Sequence, residues 1–92
     1  MESLSMQKNL ILNCSQIQTP QQLHQALFVA LALPDWYGYN LDALFDCLTE
    51  PGKDLRLTLE HFPQSADWAS GFIRVFADAA QENPLFSYVL VP

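Results

Sequence analysis

Between Asn9 and Gly52 the sequence holds no lysine or arginine, although Asp35, Asp42, Asp46 and Glu50 all fall inside that stretch. Bases are scarce throughout: four Lys plus Arg stand against ten Asp plus Glu, a net charge of −6. A chain so poor in cations cannot neutralise a phosphate backbone, which excludes a non-specific nucleic-acid binder and points towards a basic partner. With three glycines there is no Gly-rich phosphate loop. No apolar run approaches the length of about eighteen residues that a membrane span requires. The opening MESLSMQKNL also lacks the basic segment and apolar core of a signal peptide, so a cytoplasmic protein with no membrane contact is expected. Cys14 and Cys47 then read as reduced, semi-buried small hydrophobes. His24 and His61 each stand alone and no C-x-x-C or H-x-x-x-H occurs, so neither a metal nor a cofactor is expected.

What is present is apolar enough to fold. Half of the 92 residues are hydrophobic, which excludes a disordered tail and fits a single domain spanning residues 1–92. Its polar start, over residues 1–8, is expected to fray.

Leu10 to Cys14 is a short apolar run suited to a buried strand. Thr19, Pro20 and Gln22 form a capping box with proline at the first helical position, ahead of Leu23, Ala26, Leu27, Ala30 and Leu31 at helical spacing. Pro34 stops this helix near Leu33. After the aromatic loop PDWYGY, Asn40 stands as N-cap to a second helix with Leu41, Leu44, Phe45 and Leu48 on one side. Pro51 and Gly52 end it. Leu55 to Leu59 alternates apolar with polar, the pattern of a strand exposed on one face and placed near a sheet edge. A short helical turn is expected at His61 and Phe62. Trp68, Phe72, Val75, Phe76 and Ala79 mark a further helix, with Ser65 or Asp67 near its start and Asn83 and Pro84 past its end. Phe86 to Val91 closes the chain as a strand. Strands separated by helical crossovers argue an α/β fold with a parallel sheet, and the nearly continuous apolar character of the first and last strands agrees.

At about 100° per residue, Asp42, Asp46 and Glu50 lie within about 80° of one another, opposite the Leu41/Leu44/Phe45/Leu48 stripe. They make one acidic ridge beside Trp36, Tyr37 and Tyr39. Like charges at i, i+4 weaken a helix by about 0.2 to 0.5 kcal/mol per pair, so helix stability does not select Asp46. Two readings stay open: a solvated face with the aromatics in the core, or the centre of an interface, where aromatics concentrate. Asp78 and Glu82 repeat the spacing on the later helix, where Arg74 stands one turn before Asp78. Catalysis is not expected, because one exposed helix face offers no cleft between its carboxylates and Cys47 flanks the apolar side of its helix.

From Leu33 to Thr49 the string LPDWYGYNLDALFDCLT resembles the barstar family, small intracellular inhibitors that plug the active sites of secreted ribonucleases with an acidic helix and loop. The whole chain fits that family's length and element order, apart from its first residues and the turn at Pro51 to Asp54. The resemblance implies a three-stranded parallel β-sheet covered by about four helices, and no catalytic activity. It carries partner contacts onto Trp36, Tyr37, Asn40, Asp42, Phe45 and Asp46, onto Asp78 within V-F-A-D-A, and onto Glu82 as a secondary candidate. Trp36 stands for the family's loop tyrosine, Phe45 for its helix tryptophan and Asp78 for its glutamate. The family's tryptophan after the second helix has no counterpart beside Pro51 and Gly52. The implied function is an inhibitor or immunity protein binding a basic ribonuclease one to one, whose enzyme need not be barnase. The alternative is a non-inhibitory interaction module of the same fold that binds another basic protein.

Overall fold

Thr19 starts the first helix as its spacing requires. Its hydroxyl accepts from the Gln22 amide at 3.1 Å, and the Gln22 side chain accepts from the Thr19 amide at 3.1 Å. A computed structural model describes residues 7–92 and contains, in order, β1 (Lys8–Asn13), α1 (Pro20–Ala30), α2 (Leu41–Leu48), β2 (Leu55–Glu60), α3 (Ala69–Glu82) and β3 (Phe86–Val91). Of the start expected to fray, residues 1–6 lie outside the described residues, while Lys8 already belongs to β1.

The three strands form one parallel sheet in the order β1-β2-β3. The expectation of an edge position for Leu55 to Leu59 is therefore corrected: β2 is the central strand. Its alternation reflects burial on one face. Leu55, Leu57 and Leu59 are buried beneath the helices, while Arg56 is exposed and Thr58 and Glu60 are half-buried on the other side. In register with that outer row stand Asn9, Ile11 and Asn13 of β1 and Ser87, Val89 and Val91 of β3. Ile11 is 68% exposed, so the apolar runs of the outer strands do not signal burial on both faces.

There are three helices among the described residues rather than about four. No helical turn forms at His61 and Phe62, because His61 takes a left-handed φ of 56° and the Phe62 amide donates to Val91 O at 2.9 Å, extending the sheet ladder. The backbone there belongs to the sheet, and three successive turns lead on to α3. Neither Ser65 nor Asp67 caps that helix; the capping position is Trp68, which makes no side-chain cap bond. α1 ends earlier than Leu33. Ala32 adopts φ 51°, and the bonds from the Leu33 amide to Phe28 O and from the Ala32 amide to Val29 O close a Schellman motif without glycine.

Leu23 and Leu27 of α1, Leu44 and Leu48 of α2, and Phe72 and Phe76 of α3 meet the three leucines of β2 in one core. Cys14 and Cys47 are both buried and unbridged. Burial pushes the Cys14 thiol up to about 11 and raises that of Cys47 as well. No described helix is long and apolar enough to cross a membrane.

Candidate functional site

α2 divides its surface between core and acid. Leu44, Cys47 and Leu48 are buried, Asp42 and Asp46 are exposed, and Leu41 and Phe45 lie half-buried along the border. Phe45 therefore flanks the acids instead of opposing them. Glu50 does not continue the ridge, because α2 stops at Leu48 and Glu50 sits past the Thr49 C-cap, 3.9 Å from the Lys53 ammonium.

The third acid of the site comes from α3. Gly71, Arg74, Val75 and Asp78, spaced i, i+3, i+4, i+7, share the side of α3 that faces α2. Together with Leu41, Asp42, Phe45, Asp46 and Ser70 they line an open groove of about 730 Å³. A Cβ built on Gly71 would stand 2.8 Å from Leu41 Cδ1, so the glycine permits the close approach of Leu41 on α2 to α3. The result is a semi-apolar floor of Leu41, Phe45 and Val75 below three carboxylates and one guanidinium.

Asn83 holds the two helices in register from below. Its buried side chain donates to Leu48 O, an otherwise unpaired carbonyl at the end of α2, at 3.0 Å and to Lys53 O at 2.9 Å. Its oxygen accepts from the Leu85 amide at 3.0 Å.

The loop before α2 separates its three aromatics. Trp36 is 59% exposed and Tyr37 only 3%. The Tyr37 hydroxyl is hydrogen-bonded to Nδ1 of His24, itself only 4% exposed on α1. Desolvation lowers the His24 pKa, and burial, with Cys47 and Tyr39 nearby, raises that of Tyr37. Tyr39 takes a left-handed φ of 55°, and its hydroxyl donates to the Gln25 side chain. The rings of His24, Phe28, Tyr37 and Tyr39 pack with centroids 5.4 to 6.3 Å apart. That packing offsets the strain of about 1 to 2 kcal/mol that a left-handed non-glycine residue carries. Asn40 caps α2 by accepting from the Ala43 amide at 2.8 Å and donates to Gly38 O at 3.3 Å.

Of the residues expected to contact a partner, Asp42, Phe45, Asp46 and Asp78 thus converge on the groove. Trp36 and Asn40 are exposed just ahead of it in sequence, and Glu82 is exposed at the last residue of α3 without lining it. Tyr37 supports the loop from within and offers a partner almost no side-chain surface. Sequence reasoning placed Asp78 at the site but not Gly71 and Val75 beside it, which the i, i+3, i+4, i+7 spacing from Gly71 would have revealed, and it missed His24 as the loop's anchor.

The arrangement suits a basic protein surface: carboxylates accept charge-assisted hydrogen bonds from Arg, Lys or His, and the half-buried apolar floor excludes water around them. A family model described as "Barstar (barnase inhibitor)" matches residues 7–90. A Bacillus subtilis (strain 168) protein named "Putative ribonuclease inhibitor YrdF" is 36% identical over 75 residues, 82% of this chain and 79% of that protein. Because the match reaches from the first strand into the last and takes in both walls of the groove, the chain belongs to the barstar family.

Proposed function

We propose that this chain inhibits a ribonuclease by occlusion, one inhibitor to one enzyme, inside the cell that makes that enzyme. The observation that carries this reading is the convergence of Asp42 and Asp46 from α2 and Asp78 from α3 on one groove, in a member of a barnase-inhibitor family. A ribonuclease must hold phosphate with positive groups, and carboxylates at fixed spacing can take the places of phosphate oxygens. Phe45 offers apolar surface beside the acids, and Trp36 extends the contact beyond them. The prearranged loop lowers the ordering cost of association, since its aromatic packing and the Asn40 cap already fix its shape.

The test is steady-state inhibition of a panel of small ribonucleases that includes barnase. Tight inhibition of at least one member is the expected result. Binding that leaves RNA cleavage intact would move the reading to a non-inhibitory interaction module, and no binding to any member would refute it.

A further inference from the structure

The groove contains one cation that occlusion of a purely basic site would not call for. Arg74 lines it beside Asp42, Asp46 and Asp78, yet among the described residues it closes no ion pair with any of them. Lys53, by contrast, is paired with Glu50. A role in holding the helix together is poorly served by this placement, because Arg74 precedes Asp78 by four residues, the weaker order for an i, i+4 pair.

The consequence for a partner follows from desolvation. As two surfaces close over the groove, the enzyme's cations can meet the three carboxylates, but any cation brought against Arg74 would be repelled in a drying environment. An unmatched charge at such a site weakens binding strongly. A guanidinium is matched by a planar two-oxygen acceptor, to which it presents a rigid fork of N–H donors. Ribonucleases that cleave through the 2′-oxygen need a base to take the hydroxyl proton as well as cations to hold phosphate, and a carboxylate can be that base. The groove's inventory of three anions and one cation is the complement of a site with several cations and one anion.

Resting on the inhibitor reading above, we propose that Arg74 is a specificity-determining residue: it pairs with a carboxylate that the target ribonuclease carries among its phosphate-holding cations. An enzyme with a neutral base at that place is then a poor target, even when it is equally basic overall.

The experiment uses whichever ribonuclease of the panel is inhibited most tightly. Dissociation constants, read by titration calorimetry because an enzyme form stripped of its base no longer cleaves RNA, are measured for the unmodified chain, Arg74→Gln, Arg74→Lys and Asp46→Asn, each checked for native circular dichroism. They are measured against that enzyme and against forms of it in which each active-site carboxylate is changed to its amide. Arg74→Gln and Asp46→Asn should each weaken inhibition by at least about tenfold, as expected for losing one member of a desolvated charge pair. Arg74→Lys should fall between, since it keeps the charge and loses the fork. Against one of the amide enzymes, the Arg74→Gln effect should all but vanish while the Asp46→Asn effect persists. If Arg74→Gln leaves inhibition unchanged or tighter while Asp46→Asn weakens it, the specificity role is overturned and the inhibitor reading stands. Equal Arg74→Gln effects on every enzyme form would also overturn it. If the panel is not inhibited at all, the inhibitor reading fails and this inference falls with it; if inhibition persists but neither Arg74→Gln nor Asp46→Asn changes it, the groove is not the contact surface and this inference is overturned while inhibition stands.

Discussion

Asp46 lies in the last turn of α2, where the partial negative charge of the carbonyl ends disfavours an anion, and Asp42 one turn earlier adds a like charge. Nothing in the fold is gained by its charge. Asp46→Asn should therefore leave the free protein equally stable or more stable by about 0.2 to 0.5 kcal/mol, while weakening inhibition. Urea unfolding beside an inhibition titration measures both; a loss of stability above about 1 kcal/mol with unchanged inhibition would make Asp46 a structural group. Glu50→Gln should change inhibition far less, because Glu50 stands outside the groove beside Lys53. His24 supplies a residue-scale prediction of another kind. Burial lowers its folded pKa below the ordinary 6.5, so between those two values the unfolded chain binds the extra proton and stability falls as pH falls. Protonation also removes the Nδ1 lone pair that can accept the Tyr37 hydroxyl. Urea midpoints at pH 7.5 and 5.5 should show a drop, of at most about 1.4 kcal/mol per pH unit for one group. A His24→Gln variant should lose that group's share of the slope.

At the scale of elements, what was legible in the sequence was what is encoded locally. The Thr19/Pro20/Gln22 signal and the Asn40 cap place the starts of α1 and α2, because each involves groups within three residues of one another. What escaped depends on contacts distant in sequence or on unusual backbone at ordinary residues. Ala32 and His61 adopt left-handed conformations that glycine would have advertised. β2 alternates although it is central, because the helices cover one face of the sheet, and alternation by itself does not distinguish such a strand from an edge. The acids of α2 could be read from spacing, but their meeting with Asp78 required the packing of α2 on α3. Asn83 secures that packing, so Asn83→Ala should destabilise the protein by about 2 to 3 kcal/mol, leaving the Leu48 and Lys53 carbonyls and the Leu85 amide without partners. Asn83→Asp should be at least as harmful, since it places one carboxylate oxygen against the Leu48 and Lys53 carbonyl oxygens while the other still accepts from the Leu85 amide. Urea unfolding ranks the two, and an Asn83→Ala protein of undiminished stability would show that the clamp is dispensable.

For the whole molecule, the net charge of −6 and the base-free stretch from residue 9 to residue 52 create a long-range field. Association with a basic enzyme should be accelerated by that field, and the on-rate should fall steeply as salt shortens the Debye length from about 30 Å at 0.01 M to about 10 Å at 0.1 M. Stopped-flow rates that stay flat over this range would contradict steering. The same separation of surfaces has a practical side. The outer face of the sheet turns away from the helices, and Asn9 is exposed on it, whereas both native thiols are buried. With Cys14 raised to about 11 and Cys47 raised too, neither reacts readily as a thiolate near neutral pH. A single Asn9→Cys handle should therefore accept a maleimide dye or a sensor-chip tether selectively, immobilising the protein with its groove turned outward, ready to report capture of an enzyme in real time.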